Sequence, residues 1–188
     1  WIRNELAMPF RPGHENAADG APGARQERFC DIRLIVFDLD GTLVDAFGDI
    51  AAAVNHALRV LDRLTLDQAT ITRYVGGGGR NLMRRCLGEG AAEDVIERAF
   101  GMWLEYYAQH PTDFAVLYAG VTETLAALRG RGKRLAVLSN KYHDLTCAIC
   151  ERLEIARYFE AIQGELDTLP CKPDPAVLVG MMERFHVG

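Results

Sequence analysis

Two carboxylates follow directly on a short apolar run, and this arrangement constrains the fold more than any other feature of the chain. The run Leu34–Phe37 has the pattern of a buried strand, and Asp38 is the first residue after it. Asp40 comes two positions later, on the same side of the chain if strand geometry continues. Gly41 and Thr42 then turn the chain and offer backbone N–H groups to a phosphate. This pattern predicts a metal-assisted phosphoryl-transfer site at the carboxyl end of a strand, with one acid attacking and one moving protons.

The remaining sequence predicts an α/β fold with a Rossmann-like parallel sheet and an inserted all-helical cap. Residues 47–112 have helical periodicity throughout and contain no strand candidate. After them, helical patterns alternate with apolar runs of strand type at 135–138 and 159–163. We therefore expect an α/β core from 31–46 and 113–188, a helical cap from 47–112, and a disordered tail over 1–30.

Composition excludes several classes of partner. The chain has 188 residues and a formal net charge of −5, which argues against nucleic acid or an anionic membrane surface as the main partner. No apolar stretch reaches the roughly 18 residues of a membrane span. Five scattered cysteines favour a reducing cytoplasm over a disulfide framework.

Two further polar segments are candidates for binding phosphate. Ser139 and Asn140 follow the second core strand, where a hydroxyl and an amide donate hydrogen bonds without adding charge; the alternative is a turn that only ends the strand. Lys172 lies in a Lys-Pro-Asp-Pro string, whose prolines stiffen the loop. Its ammonium is expected to neutralise the phosphate and the attacking carboxylate, the alternative being a solvated side chain.

Within the predicted cap, a glycine run precedes Arg80. Gly77 and Gly78 permit close approach of the backbone to an anionic substrate, and Arg80 is a candidate partner for its carboxylate. A flexible connection between two helices explains the same run equally well. Cys147 and Cys150 are expected to be packing thiols on a helix and not zinc or redox ligands.

Three motifs resemble those of the haloacid dehalogenase-like phosphohydrolase superfamily, in its phosphoglycolate phosphatase-like branch with a helical cap. They are Asp-Leu-Asp-Gly-Thr-Leu-Val-Asp at 38–45, Ser139-Asn140, and the Lys-Pro-Asp-Pro string that begins at Lys172. The resemblance implies that Asp38 forms an aspartyl-phosphate and that Asp40 first protonates the leaving alkoxide and then activates water. It also implies Mg²⁺ held by the Asp38 carboxylate and the Asp40 backbone carbonyl, with phosphate bound by Ser139, Asn140 and Lys172.

The same resemblance implies a small phosphorylated metabolite as substrate, with 2-phosphoglycolate leading and sugar phosphates or pyrophosphate behind it. The family's fourth motif, an acidic stretch that supplies a third metal ligand, has no counterpart between Lys172 and Gly188. Its absence predicts an unpaired strand edge at 33–37. It also leaves open a second hypothesis, a truncated and weakly active or inactive relative that binds phosphate or a partner. The sequence does not fix the substrate or the oligomeric state.

Overall fold

A computed structural model describes residues 31–187, so the predicted tail over 1–30 lies outside the described residues. Three parallel strands form the central sheet. In chain order they are β1 (Leu34–Phe37), β4 (Arg134–Tyr142) and β5 (Ala161–Glu165), with β4 in the middle. Among the described strands β1 pairs with β4 alone and forms one edge. The expected α/β class with a parallel sheet is confirmed.

Four helices follow β1 along the chain, and three more alternate with the remaining strands of the sheet: one before β4, one between β4 and β5, and one after β5. The four are α1 (Phe47–Val60), α2 (Gln68–Tyr74), α3 (Gly79–Leu87) and α4 (Glu93–Gln109). The later three are α5 (Val121–Gly130), α6 (His143–Arg152) and α7 (Pro175–Arg184), with a 3₁₀ turn at Ala156–Tyr158. The first four lie within the segment 47–112, for which the sequence predicted helices throughout. No helix in 31–187 is both long and apolar enough to cross a membrane.

A two-stranded antiparallel ribbon forms where the chain leaves the sheet to enter the four helices and where it returns from them. Its strands are β2 (Val44–Asp45) and β3 (Val116–Leu117), paired Val44 with Leu117 and Asp45 with Val116. Two-residue strands carry no measurable periodicity, and the sequence analysis therefore missed both. The ribbon therefore places the start of α1 beside the segment that leads from α4 back to the sheet.

The register of the sheet determines where the acids lie. β1 pairs with β4 in parallel, and the last pair is Phe37 with Val137. Asp38 lies one residue beyond this pair and Ser139 two residues beyond it, so both emerge at the same carboxyl edge, where ligands bind in open α/β sheets. Strand β4 continues to Tyr142, beyond the predicted end at 138, and its pairing with β5 shifts between Leu138 and Tyr142.

Burial is continuous along β4 from Leu135 to Ser139, as expected for a strand covered on both faces, and successive side chains point to opposite faces of the sheet. Ala136 and Leu138 face α7, where they pack with Val177, Met181 and Phe185. Leu135 and Val137 join a larger cluster on the opposite face. That cluster also includes fully buried side chains from the helical segment formed by α1 to α4, among them Val54, Ile71, Met83 and Tyr107.

Candidate active site

A cavity of about 130 Å³ lies between the carboxyl edge of the sheet and the helical segment. Six predicted site residues line it: Asp38, Asp40, Gly78, Ser139, Asn140 and Lys172. Leu39, between the two acids, is fully buried. Strand alternation therefore continues past the end of β1, turning both acids toward the cavity and Leu39 into the core.

Asp38 and Lys172 form the more open of two acid–lysine pairs. Lys172 Nζ lies 2.9 Å from Asp38 Oδ1 and donates a 2.7 Å hydrogen bond to the Leu138 carbonyl. The Asp38 side chain is 46% exposed and that of Lys172 30% exposed. Ion pairs this accessible to water contribute little to stability, so an incoming anion can displace the carboxylate from the ammonium at small cost.

Asp40 pairs with a lysine that the sequence analysis did not select. Lys141 Nζ donates to both Asp40 carboxylate oxygens, at 2.9 and 2.8 Å, and its side chain is only 3% exposed. Burial disfavours the charged amine, but the Asp40 carboxylate and Tyr107 outweigh this effect and hold the pKa of Lys141 above its usual range. A sequence signal existed, because residue 141 shares a strand face with Ser139 if β4 continues past Asn140.

Asn140 holds the backbone of Lys172. Its side-chain Nδ2 donates to the Lys172 carbonyl and its Oδ1 accepts from the Lys172 N–H, both at 2.8 Å. The amide oxygen and one of the two amide N–H groups are thus engaged within the protein, and Asn140 also lines the cavity. Ser139 is buried, and its Oγ accepts a 3.2 Å hydrogen bond from the Lys141 N–H.

The turn after Asp40 does not present its N–H groups to the cavity as expected. The Gly41 N–H donates to the Val44 carbonyl at 2.9 Å, and the Thr42 N–H donates to the Leu39 carbonyl at 3.2 Å. Neither residue lines the cavity. The chain closes this turn on itself in order to enter β2, which consumes both donors. The Val44 N–H also donates to the Leu39 carbonyl. These hydrogen bonds involve the residues on either side of Asp40 and not its own backbone amide or carbonyl.

The glycine run contributes to the cavity, whereas Arg80 does not. Gly76, Gly78 and Gly79 line the cavity, and Gly77 lies outside its lining. Arg80 instead binds Glu97 at 3.0 Å and Asp167 at 3.2 Å. Those two carboxylates satisfy the guanidinium, so the expected contact with a substrate carboxylate is not prepared here.

The side of the cavity opposite the acids is mainly apolar. It is formed by side chains from the helical segment, Ile50, Val75, Leu82 and Trp103. The Trp103 indole Nε1 is buried and has no hydrogen-bond partner among the described residues. The cavity therefore places charge at the sheet edge and apolar surface against the helices.

The residues at the sheet edge supply two of the oxygen ligands that a Mg²⁺ ion needs. Residues 31–187 contain no group of three or more His, Cys, Asp and Glu side chains arranged to hold a metal ion. One open carboxylate, Asp38, and a backbone carbonyl that the local hydrogen bonds bypass, that of Asp40, remain as oxygen donors. Mg²⁺ often takes one or two carboxylates from the protein and completes its shell with phosphate and water.

The cysteines of the described segment are free and play no part in this site. They are Cys86, Cys147, Cys150 and Cys171. Burial raises the pKa of Cys150 to about 12, as it does for Cys86. Such thiols are poor ligands and nucleophiles at neutral pH, in agreement with the packing role expected for the pair on α6.

A parallel α/β sheet with acids at its carboxyl edge and a helical insertion after the first strand defines the class of haloacid dehalogenase-like hydrolases. The sequence profile described as "Haloacid dehalogenase-like hydrolase" matches residues 35–188, and the chain belongs to this family. The resemblance drawn from the three motifs is thereby confirmed.

Several relatives of the chain within this family are named phosphoglycolate phosphatases. The chain is 38% identical over 161 residues to a phosphoglycolate phosphatase of Pseudomonas syringae, covering 82% of this chain and 58% of the relative. It is 34% identical over 152 residues to the phosphoglycolate phosphatase of Aquifex aeolicus, covering 81% and 70%. The crystal structure of a predicted phosphoglycolate phosphatase from Haemophilus somnus superposes with a TM-score of 0.77 at 29% identity, covering 83% and 72%. The chain thus spans a little over half the length of its Pseudomonas relatives.

Proposed function

We propose that the protein is a Mg²⁺-dependent phosphatase of a small phosphorylated metabolite, acting through an aspartyl-phosphate. The observation that carries this proposal is the different setting of the two acids in one cavity. Asp38 is open and paired with a half-exposed lysine, whereas Asp40 is held by a buried one. An open carboxylate suits attack on a substrate, and a fixed carboxylate suits proton transfer.

In the first step, Asp38 attacks phosphorus and the bond from phosphorus to the leaving oxygen breaks. Lys172, held by Asn140, moves from Asp38 toward the phosphate and offsets its charge. Asp40 gives the leaving alkoxide a proton that reaches it through its hydrogen bonds with the Lys141 ammonium, and the pair regains that proton in the second step. Bound Mg²⁺ would be held by the Asp38 carboxylate and the Asp40 carbonyl, and it supplies positive charge to the phosphoryl oxygens.

In the second step, water attacks the phosphorus of the aspartyl-phosphate while Asp40 accepts a proton from that water. Inorganic phosphate leaves, and the Asp38 carboxylate is restored. Ser139 lines the same cavity, and its O–H can donate to a phosphate oxygen while its Oγ accepts from the Lys141 N–H. In this scheme residues 47–112 act as a cap that keeps bulk water from the reacting groups.

The best candidate substrate is 2-phosphoglycolate. Support comes from the names of the relatives and from the small volume of the cavity, which suits a molecule of few heavy atoms. Sugar phosphates and pyrophosphate are the next candidates. The free cysteines at positions 86, 147, 150 and 171, within the described residues, support a reducing compartment such as the cytoplasm.

A phosphate-binding protein with little or no turnover is the second candidate. It is favoured by the finding that the described part of the chain brings no third acidic ligand to the cavity. Calorimetric titration with inorganic phosphate, with and without Mg²⁺, distinguishes the two when combined with turnover measurements. Binding without turnover supports the second candidate.

The test of the first candidate is hydrolysis of 2-phosphoglycolate and para-nitrophenyl phosphate by wild type, Asp38→Asn and a matched control. Asp113→Asn is the control, because Asp113 is an exposed carboxylate that pairs with His110 outside the cavity. We expect Mg²⁺-dependent activity in wild type and in the control and none in Asp38→Asn. Full activity in Asp38→Asn rejects the nucleophile.

A further inference from the structure

We propose that Tyr107 and Lys141 position the Asp40 carboxylate and make its position depend on the docking of helix α4. This inference rests on the proposed phosphatase function and adds a positioning pair to it. Tyr107 is contributed by the helical segment, Lys141 by the central strand, and Asp40 by the turn after β1.

The geometry leaves the Lys141 ammonium no spare donor. A lysine ammonium has three N–H groups. Here two donate to the Asp40 oxygens, at 2.9 and 2.8 Å, and the third donates to Tyr107 Oη at 2.8 Å. The ammonium therefore cannot rotate or shift without losing a contact, and the Tyr107 hydroxyl defines one of its three directions.

Tyr107 is suited to this task by its surroundings. Its side chain is fully buried, and it packs edge-on against Trp103 with ring centroids 5.4 Å apart. Burial is the main cause that raises the pKa of Tyr107 to about 12, so the hydroxyl keeps its proton at neutral pH and accepts from the ammonium. Lys141 Nζ also lies 4.6 Å from the centre of the Tyr107 ring, within cation–π range.

Stability alone gives a weak reason for such a pair. Burying an ammonium and a carboxylate costs desolvation energy that their attraction often only offsets, and apolar side chains frequently serve as well. The placement at the reacting edge supplies another reason. Asp40 must meet the leaving oxygen within hydrogen-bond reach, and small errors in that geometry cost rate.

The leaving group provides the test. Tyr107→Phe keeps the ring and removes only the hydroxyl that directs Lys141. We expect its kcat for 2-phosphoglycolate, whose alkoxide needs a proton, to fall about tenfold with KM little changed. The kcat for para-nitrophenyl phosphate, whose nitrophenolate leaves without a proton, is expected to fall less than twofold.

Tyr106→Phe is the matched control. Tyr106 precedes Tyr107 on the same helix and stacks on His56 and His110, with no contact to Lys141. We expect this variant to retain wild-type kcat on both substrates. Equal losses on the two substrates in Tyr107→Phe, or no loss on either, overturn the inference.

A measurement that needs no activity separates failure of this inference from failure of the proposed function. Unfolding midpoints are compared for Tyr107→Phe, Asp40→Asn and the double variant. Because both residues act on the same ammonium, we expect their effects to depart from additivity. Additive effects reject the pair even if the enzyme is active. An inactive wild type with a non-additive cycle rejects the phosphatase proposal and leaves the pair supported.

Discussion

The side-chain amide of Asn140 exchanges two hydrogen bonds of 2.8 Å with the backbone of Lys172. Asn55 makes the same pair of bonds with the backbone of Leu66, at 2.8 and 2.9 Å, far from the cavity. Residues 31–187 thus contain these two clamps, and the one at Asn140 holds a lysine that pairs with Asp38.

Asn140→Ala and Asn55→Ala are expected to have similar effects on stability and different effects on function. Each removes two hydrogen bonds to half-buried backbone groups, which costs about 1–3 kcal/mol of unfolding free energy. Denaturant titration measures this cost. Only Asn140→Ala releases Lys172, so only it should weaken inhibition by inorganic phosphate and raise KM. A rise of KM in Asn55→Ala as well would show that loss of stability, and not the position of Lys172, causes the effect.

Two helical glycines predict opposite effects of an added methyl group. A Cβ on Gly79 would lie 2.7 Å from a Phe100 ring carbon and 2.9 Å from a Trp103 ring carbon. Gly79→Ala is therefore expected to destabilise the protein by about 1–3 kcal/mol through overpacking beside the cavity. Gly101 in α4 is exposed, and a Cβ there meets nothing within 4 Å. Gly101→Ala is expected to stabilise by about 0.5–1 kcal/mol. Thermal unfolding in which both variants shift the midpoint the same way would contradict this assignment.

The cap of helix α2 predicts a pH-dependent effect. The Asp67 carboxylate accepts from the Thr70 N–H at 2.8 Å, which is the main reason that the pKa of Asp67 lies below its usual value. A lowered pKa in the folded state means that the stabilisation is complete above the ordinary aspartate pKa and disappears as pH falls through the lowered value. Asp67→Ala should therefore be less stable than wild type at pH 7, and the difference should be smaller at pH 2, where the charge-dependent part of the cap is lost.

Asp67→Asn is the matched control for that prediction. Asparagine keeps the capping oxygen and does not titrate. Its stability relative to Asp67→Ala should therefore not vary with pH. Denaturation midpoints at pH 7, 4 and 2 measure both comparisons, and a wild-type advantage that persists unchanged at pH 2 would refute the role of the carboxylate.

Local patterns predicted most of the fold. The apolar runs of β1 and β4 and the helical periods between 47 and 109 are properties of contiguous residues, and so they could be found from the sequence. Asp38 and Asp40 could be predicted for the same reason, because they adjoin the strand that positions them. The ribbon β2–β3 could not, since two residues per strand leave no pattern.

The contacts within the site required the three-dimensional structure. Lys141 meets Asp40 across 101 positions of sequence and Tyr107 across 34. The sequence indicated a charged residue near the end of a strand but not its partners. For Arg80, a contact with the substrate was one of two equally supported interpretations, but Arg80 binds Asp167, which lies 87 positions away. Gly41 and Thr42 were expected to offer N–H groups that the following turn in fact uses.

Chemical trapping of the phosphorylated enzyme tests the central claim most directly. The protein is mixed with Mg²⁺ and 2-phosphoglycolate, quenched with borohydride and digested for peptide mass mapping. An aspartyl-phosphate is reduced to a primary alcohol, whereas a free carboxylate is unchanged. The account predicts substrate-dependent reduction at Asp38 and at no other acid. Phosphate release without any modification of Asp38, or with reduction at Asp40 in its place, would contradict it.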